Sequence, residues 1–215
     1  MKIYIGVDVQ IKRPCSYAVV DQDGAMLDSG WFDEPQAFAA QMAFRYGNEK
    51  VQTGIDACRH FITKPRGWYW NGSKKAWRAK TPGERGWGRH CEVVIKAMGL
   101  GNPQWTPFEA EASEWMVKGK AIFDAMESLG TTHEVFPTAC YRLLHQVGGS
   151  LPMTLDFGSF APGPKDMLDA CVAAATVRMF ALGQGCEVGG GDGLGTIVLP
   201  APLEVPEILS RYPGA

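Results

Sequence analysis

Two apolar runs of the same design carry an aspartate near their carboxyl ends, IYIGVDV at residues 3–9 and VQTGIDA at 51–57. Both predict strands. Side chains alternate across a strand, so Gly6 shares a face with Asp8, and Gly54 with Asp56. If the two strands lie side by side and parallel, both carboxylates reach the carboxyl edge of a sheet, where open α/β sheets place their ligands. Between them, SYAVVD (16–21) and AMLDSGWF (25–32) predict two further strands joined by a hairpin turn at DQDG (21–24). EPQAFAAQMAFRYG (34–47) predicts a helix closed by Gly47. The chain therefore opens with three antiparallel strands, a crossover helix and a fourth strand parallel to the first.

Farther along, CEVVIKAMG (91–99) and a longer segment from Pro107 to Leu129 predict helices, the second with Trp115, Ile122, Phe123 and Met126 toward the core. THEVFP (132–137) predicts a short strand stopped by Pro137, which also opens a helix through Tyr141 and Leu144. PGPKDMLDACVAAATVRMFALG (162–183) predicts a helix with Gly163 and Pro164 at its start and Gly183 past its end. Its expected apolar stripe is Leu168, Cys171, Val172, Ala175 and Met179. The glycine-rich stretch 183–195 lacks the Lys and Ser/Thr of a phosphate-binding loop and reads as a flexible connection into a last strand, GTIVLP.

Candidate chemistry follows from where the acids fall. Asp8 and Asp56, if adjacent, would repel one another and take up a proton unless a cation lay between them, which makes a divalent metal the natural occupant. Asp166 and Asp169 stand three apart on one side of the last long helix. The helix dipole accounts for Asp166 in the first turn. It does not account for Asp169, which enters an apolar segment with Lys165 as its nearest obvious partner. Glu134 lies in the strand before Pro137. The competing reading is that each aspartate simply starts a turn after its strand.

GVDV, GIDACR, EVFPTACYRLL, KDMLDACVAA and GDGLGTIVLP together resemble the domain-of-unknown-function family 429 (DUF429), whose members are predicted ribonuclease-H-like nucleases. The Asp-x-x-Asp of the last long helix is also similar to that of bacterial Holliday-junction resolvases. The resemblance implies an α/β, ribonuclease-H-like fold: a mixed five-stranded sheet flanked by helices, with an irregular insertion after the fourth strand. It implies Asp8, Asp56, Glu134, Asp166 and Asp169 as catalytic residues and as ligands of two Mg²⁺ or Mn²⁺ ions, hydrolysing phosphodiester bonds of nucleic acid. A ribonuclease-H-fold binding or regulatory protein without catalysis is the alternative. The same opening begins each lobe of sugar kinases and actin, but a small-molecule phosphotransferase of that kind needs two lobes, and 215 residues are too few.

Composition bounds the rest. A chain of 215 residues that is 46% apolar is expected to form one domain over 1–215. It has no run approaching a membrane span and no leader pattern, so a cytoplasmic location and no membrane partner are expected. The six cysteines show no Cys-x-x-Cys spacing, which argues against a zinc site, and no His is placed by sequence to activate Cys58. The net charge of −2 is unevenly spread. The insertion at about 59–90 holds nine Lys or Arg against the single acid Glu84, interleaved with tryptophans. Cations neutralise phosphates and aromatic faces stack bases, so nucleic acid is the expected partner, through Arg59, Arg66, Trp68, Trp70, Lys74, Lys75, Trp77, Arg78 and Arg89. The plainer reading packs the tryptophans onto the domain and leaves the cations in water, with Asn71-Gly72 turning a small hairpin.

Overall fold

In the first strand, β1 (Lys2–Asp8), the alternation read from the sequence is realised: Ile3, Ile5 and Val7 enter one hydrophobic cluster while Tyr4 enters another on the opposite face. The computed structural model describes residues 1–155, 158 and 160–214 as a mixed α/β structure. After β1 come β2 (Cys15–Asp21), β3 (Met26–Phe32), helix α1 (Pro35–Tyr46) and β4 (Lys50–Asp56). The insertion carries β5 (Trp68–Asn71) and β6 (Ala76–Ala79), followed by α2 (His90–Ala97), α3 (Glu114–Met126) and β7 (Gly130–Val135). Then come α4 (Pro137–Val147), α5 (Pro164–Ala181), β8 (Cys186–Gly189), β9 (Thr196–Leu199) and a short α6 (Glu207–Ser210).

One seven-stranded sheet runs in the order β3-β2-β1-β4-β7-β9-β8. The strands β1, β4, β7 and β9 are parallel neighbours, and the three remaining pairings are antiparallel. Helices cover both faces: α1 and α3 pack against the side of Ile3, Ile5 and Val7, while α2, α4 and α5 pack against the side of Tyr4. Phe38 of α1 stacks on Phe32 with ring centroids 3.9 Å apart, and Tyr17 leans against both. At the β2–β3 turn, Asp21 accepts from the backbone N–H of Asp23 and Ala25, which closes the expected hairpin.

Several expectations needed correction. Among the described residues the sheet has seven strands, not five, because β9 extends it beyond β7 and the glycine-rich stretch contains β8, which folds back on β9 as a hairpin instead of running free. The long helix expected from Pro107 is a single 3₁₀ turn at Glu109–Glu111, an extended Ala112, and then α3 from Glu114. All three residues of that turn are exposed, so no buried face holds the segment helical. The stripe expected on α5 is also too narrow. Every residue from Asp169 to Arg178 is buried, because α5 lies on the sheet and is covered from its other side, while Leu168 and Met179 are only half-buried. The insertion does contain the expected hairpin, with Asn71 Oδ1 accepting from Ser73 and from the Lys74 N–H across a turn longer than two residues. Among the described residues no helix is long and apolar enough to cross a membrane.

Candidate active site

β1 and β4 pair in parallel with Gly6 opposite Gly54 and Asp8 opposite Asp56. The glycines serve a different neighbour from the carboxylates. A Cβ at Gly6 would lie 2.0 Å from the Ala170 carbonyl oxygen and 2.3 Å from the Ala174 nitrogen; one at Gly54 would lie 2.6 Å from Val177 Cγ2. The missing side chains thus let α5 lie directly on β1 and β4. That approach brings the first turns of α5, with Asp166 and Asp169, toward the edge where Asp8 and Asp56 end their strands.

Each carboxylate has its own surroundings. Asp8 is buried, and its Oδ2 accepts from Gln10 Nε2 at 2.7 Å. Burial, and then the charges of Asp169 and Asp166, push its carboxyl up to about 7, against the opposing influence of Gln10 and Lys165. Asp56 is half-buried and opens onto a cavity of about 220 Å³. Burial raises its carboxyl well above the ordinary range, with Asp8 and Asp169 adding to the effect, and no hydrogen bond reaches it from the described residues. Asp169 is buried and holds two donors, the Tyr141 hydroxyl on Oδ1 at 2.8 Å and the Lys165 ammonium on Oδ2. Lys165 lies close enough to act electrostatically on Asp8 and Asp56 as well. Asp166 is ion-paired with Arg13 at 2.5 Å, and its backbone carbonyl accepts from Ser16 Oγ.

Glu134 is held differently from the aspartates. It stands opposite Ile55 in the register with β4, yet it lines the same cavity as Asp56 and its charge adds to the rise of the Asp56 carboxyl. There its carboxylate is held by Arg89, with Nη1 on Oε2 at 2.7 Å and Nη2 on Oε1, and Oε2 also accepts from the Arg59 N–H. Arg89 binds Glu92 at the same time, and Glu92 in turn accepts from the Thr106 N–H and hydroxyl. Arg89 is 1% exposed, so the expectation that it touches nucleic acid is withdrawn: it is the centre of a buried, fully hydrogen-bonded ion network.

The remaining insertion residues divide. Trp77 donates to the Ile208 carbonyl and packs with Trp70, His90 and Tyr212, as the plainer reading of the tryptophans expects. Arg59 is paired with Glu127 and Arg78 with Glu84. Lys74 and Lys75 are exposed on the hairpin turn, and Arg66 and Trp68 are half-buried. Cys58 is buried and its thiol is pushed up to about 12 by burial, which leaves no thiolate at neutral pH.

The gathered carboxylates are thus Asp8, Asp56 and Asp169, with Asp166 beside them under Arg13. Their donor set is all oxygen and carries excess negative charge, which fits a hard cation such as Mg²⁺ or Mn²⁺ in chemistry. In geometry, among the described residues, no three His, Cys, Asp or Glu side chains converge closely enough to hold a metal ion; the Lys165 ammonium supplies positive charge there. Nothing in the spacing of residues marked Gln10 or Tyr141 as orienting groups. It did single out Lys165, spaced one helical turn before Asp169. No family model, curated protein or solved structure matches this chain.

Proposed function

We propose that this protein is a metal-dependent nuclease hydrolysing phosphodiester bonds of nucleic acid, with Asp8, Asp56 and Asp169 as the residues that hold the cation. The observation that carries the reading is the Asp8–Asp56 register together with the delivery of Asp169 by α5, since three carboxylates, two of them raised by burial and by the charge of neighbouring acids, carry more negative charge than the Lys165 ammonium beside them offsets. β1 to β4 form the expected opening of the ribonuclease-H arrangement, three antiparallel strands and a fourth parallel to the first, and this supports the finer fold reading. Gln10 fixes Asp8 through Oδ2, and Tyr141 fixes Asp169 through Oδ1. Asp56, whose carboxylate has no donor among the described residues, stays available. Lys165 has a 74% exposed side chain, so it can swing off Asp169 toward a substrate phosphate. Asp8, Asp56 and Asp169 would hold the divalent ion, which would supply charge neutralisation at phosphorus and activation of water. Arg89 and Arg13 compete for Glu134 and Asp166, which leaves these two as supporting acids in this reading.

The ion pair between Lys165 and Asp169 favours a second reading, a binding protein that neutralises its own acidic pocket. Calorimetric titration of Mn²⁺ into the wild type and Asp8→Asn separates the two. Saturable binding that is lost in the variant, followed by cleavage of single-stranded, duplex or branched DNA or of RNA, is the expected result. An Asp8→Asn protein cleaving at the wild-type rate would sink the catalytic assignment, and absence of binding in both proteins would establish the second reading.

A further inference from the structure

A cavity of about 570 Å³ opens between residues 62–68 of the insertion, the loop 191–194 and the chain end at 212–214, and none of Asp8, Asp56 or Asp169 lines it. Its volume falls within the range of about 300–1,000 Å³ typical of small-ligand pockets. Two cations stand in its wall, Lys64 and Arg66, and neither forms an ion pair among the described residues.

Arg66 is the informative one. Its guanidinium carbon sits 4.1 Å from the ring centre of Tyr69 and 4.5 Å from that of Trp105, which fixes the group in place. Nε and Nη1 are closed off from solvent, and neither has a hydrogen-bond partner among the described residues. Charged donors held away from water without an acceptor are costly, and an anion bound in the cavity would offset that cost through its charge. Nη1 lies beside Gly88, a residue of the cavity lining, since a Cβ built there would be 3.3 Å from it.

The other walls set what the anion is attached to. Trp68 and Tyr212 present aromatic surface, and the Tyr212 ring is braced edge-on against Trp77 at 5.4 Å. The glycine loop offers shape and not donors: the N–H groups of Gly191, Gly193 and Leu194 already donate to His90, Gly190 and Asp192. Asp192 is the acid in the lining, and its carboxylate is engaged by the N–H groups of His90 and Leu194. The anion must therefore be taken by side-chain cations, with planar carbon surface beside it.

We propose, resting on the nucleic-acid reading above for the class of ligand, that this cavity binds one nucleotide unit. Arg66 and Lys64 hold its phosphate, and Trp68 stacks its base. A free nucleoside monophosphate and the phosphorylated end of a strand offer the same chemistry.

The test is a titration followed by tryptophan fluorescence and calorimetry, in chelator so that no cleavage intervenes. Adenosine monophosphate, a 5′-phosphorylated tetranucleotide and inorganic phosphate are the probes. Trp68→Leu is expected to weaken binding about tenfold, from stacking of about 1–3 kcal/mol per base. Arg66→Gln should weaken it about tenfold or more. Lys64→Ala, at an exposed position where folding is not at risk, should lower the salt dependence by about one charge. Asp8→Asn should bind like the wild type, which keeps this site's outcome separate from that of the acidic site. Mononucleotide binding weakened by these substitutions establishes the site with a free nucleotide as its source, and tetranucleotide binding alone establishes it with a strand end. No binding of either probe, binding unchanged in Lys64→Ala and Trp68→Leu, or inorganic phosphate bound as tightly as the nucleotide would overturn it.

Discussion

Replacing Asp8 by Asn should make the metal-free protein more stable at alkaline pH. Burial, reinforced by Asp169 and Asp166, moves the Asp8 carboxyl from an ordinary 3.8 to about 7. A carboxyl raised in this way holds its proton more tightly in the folded than in the unfolded chain, so the folded state binds more protons between those two values. The stability it contributes is present below 3.8 and is lost as pH rises through the window to about 7. Three units at about 1.36 kcal/mol each amount to about 4 kcal/mol, and relaxation around the charge reduces this to about 2–4 kcal/mol. Asn keeps the shape, still accepts from Gln10 and carries no charge. Urea unfolding in chelator at about pH 8 should therefore show the variant more stable by that amount, equivalent to roughly 5–15 °C in Tm, with most of the gain gone at about pH 4.5. An equal gain at both pH values, or a loss at the higher one, would refute the account of Asp8 as a repelled, buried acid.

Arg89→Met should cost about 3–5 kcal/mol in urea unfolding, because Glu92 and Glu134 would be left buried without their cation; a change under about 1 kcal/mol would mean that the network is not closed as described. Gly6→Ala should cost more than about 3 kcal/mol, since its Cβ would meet the Ala170 oxygen at 2.0 Å. Gly72→Ala is its control, with nothing within 4 Å of the new Cβ and an expected change within about 0.5 kcal/mol. Lys165→Ala should tighten Mn²⁺ binding up to about fivefold in calorimetry, the worth of an exposed ion pair; weaker binding would show that Lys165 does not compete with the cation.

What could be read in advance was whatever local alternation and capping encode. The Gly-x-Asp echo placed Asp8 beside Asp56 because both strands show the same phase of side chains, and Gly163, Pro164 and Gly183 bracketed α5 closely. The surroundings of Glu134 were not legible for a related reason. Its strand is short, and which face it shows depends on its register with β4, a property of the pair and not of either segment. The Arg89–Glu134 bond joins residues 45 positions apart and leaves no trace in spacing. β8 was hidden because its four residues lie among glycines, and only pairing with β9 gives them a strand's conformation. The aromatic content of the insertion was evident, but whether a tryptophan faces a ligand or a neighbour depends on the chain's far end, where Ile208 and Tyr212 take up Trp77.

The flush contact of α5 with β1 and β4 also sets a temporal order. Asp8 and Asp169 belong to the first strand and the last long helix, so during synthesis the acidic cluster cannot exist until that helix has left the ribosome and docked. Contacts of such sequence separation form late and slowly. A nascent or truncated chain would present its aspartates singly and in water, each an ordinary acid, and the unusual chemistry would arise only with completion of the fold.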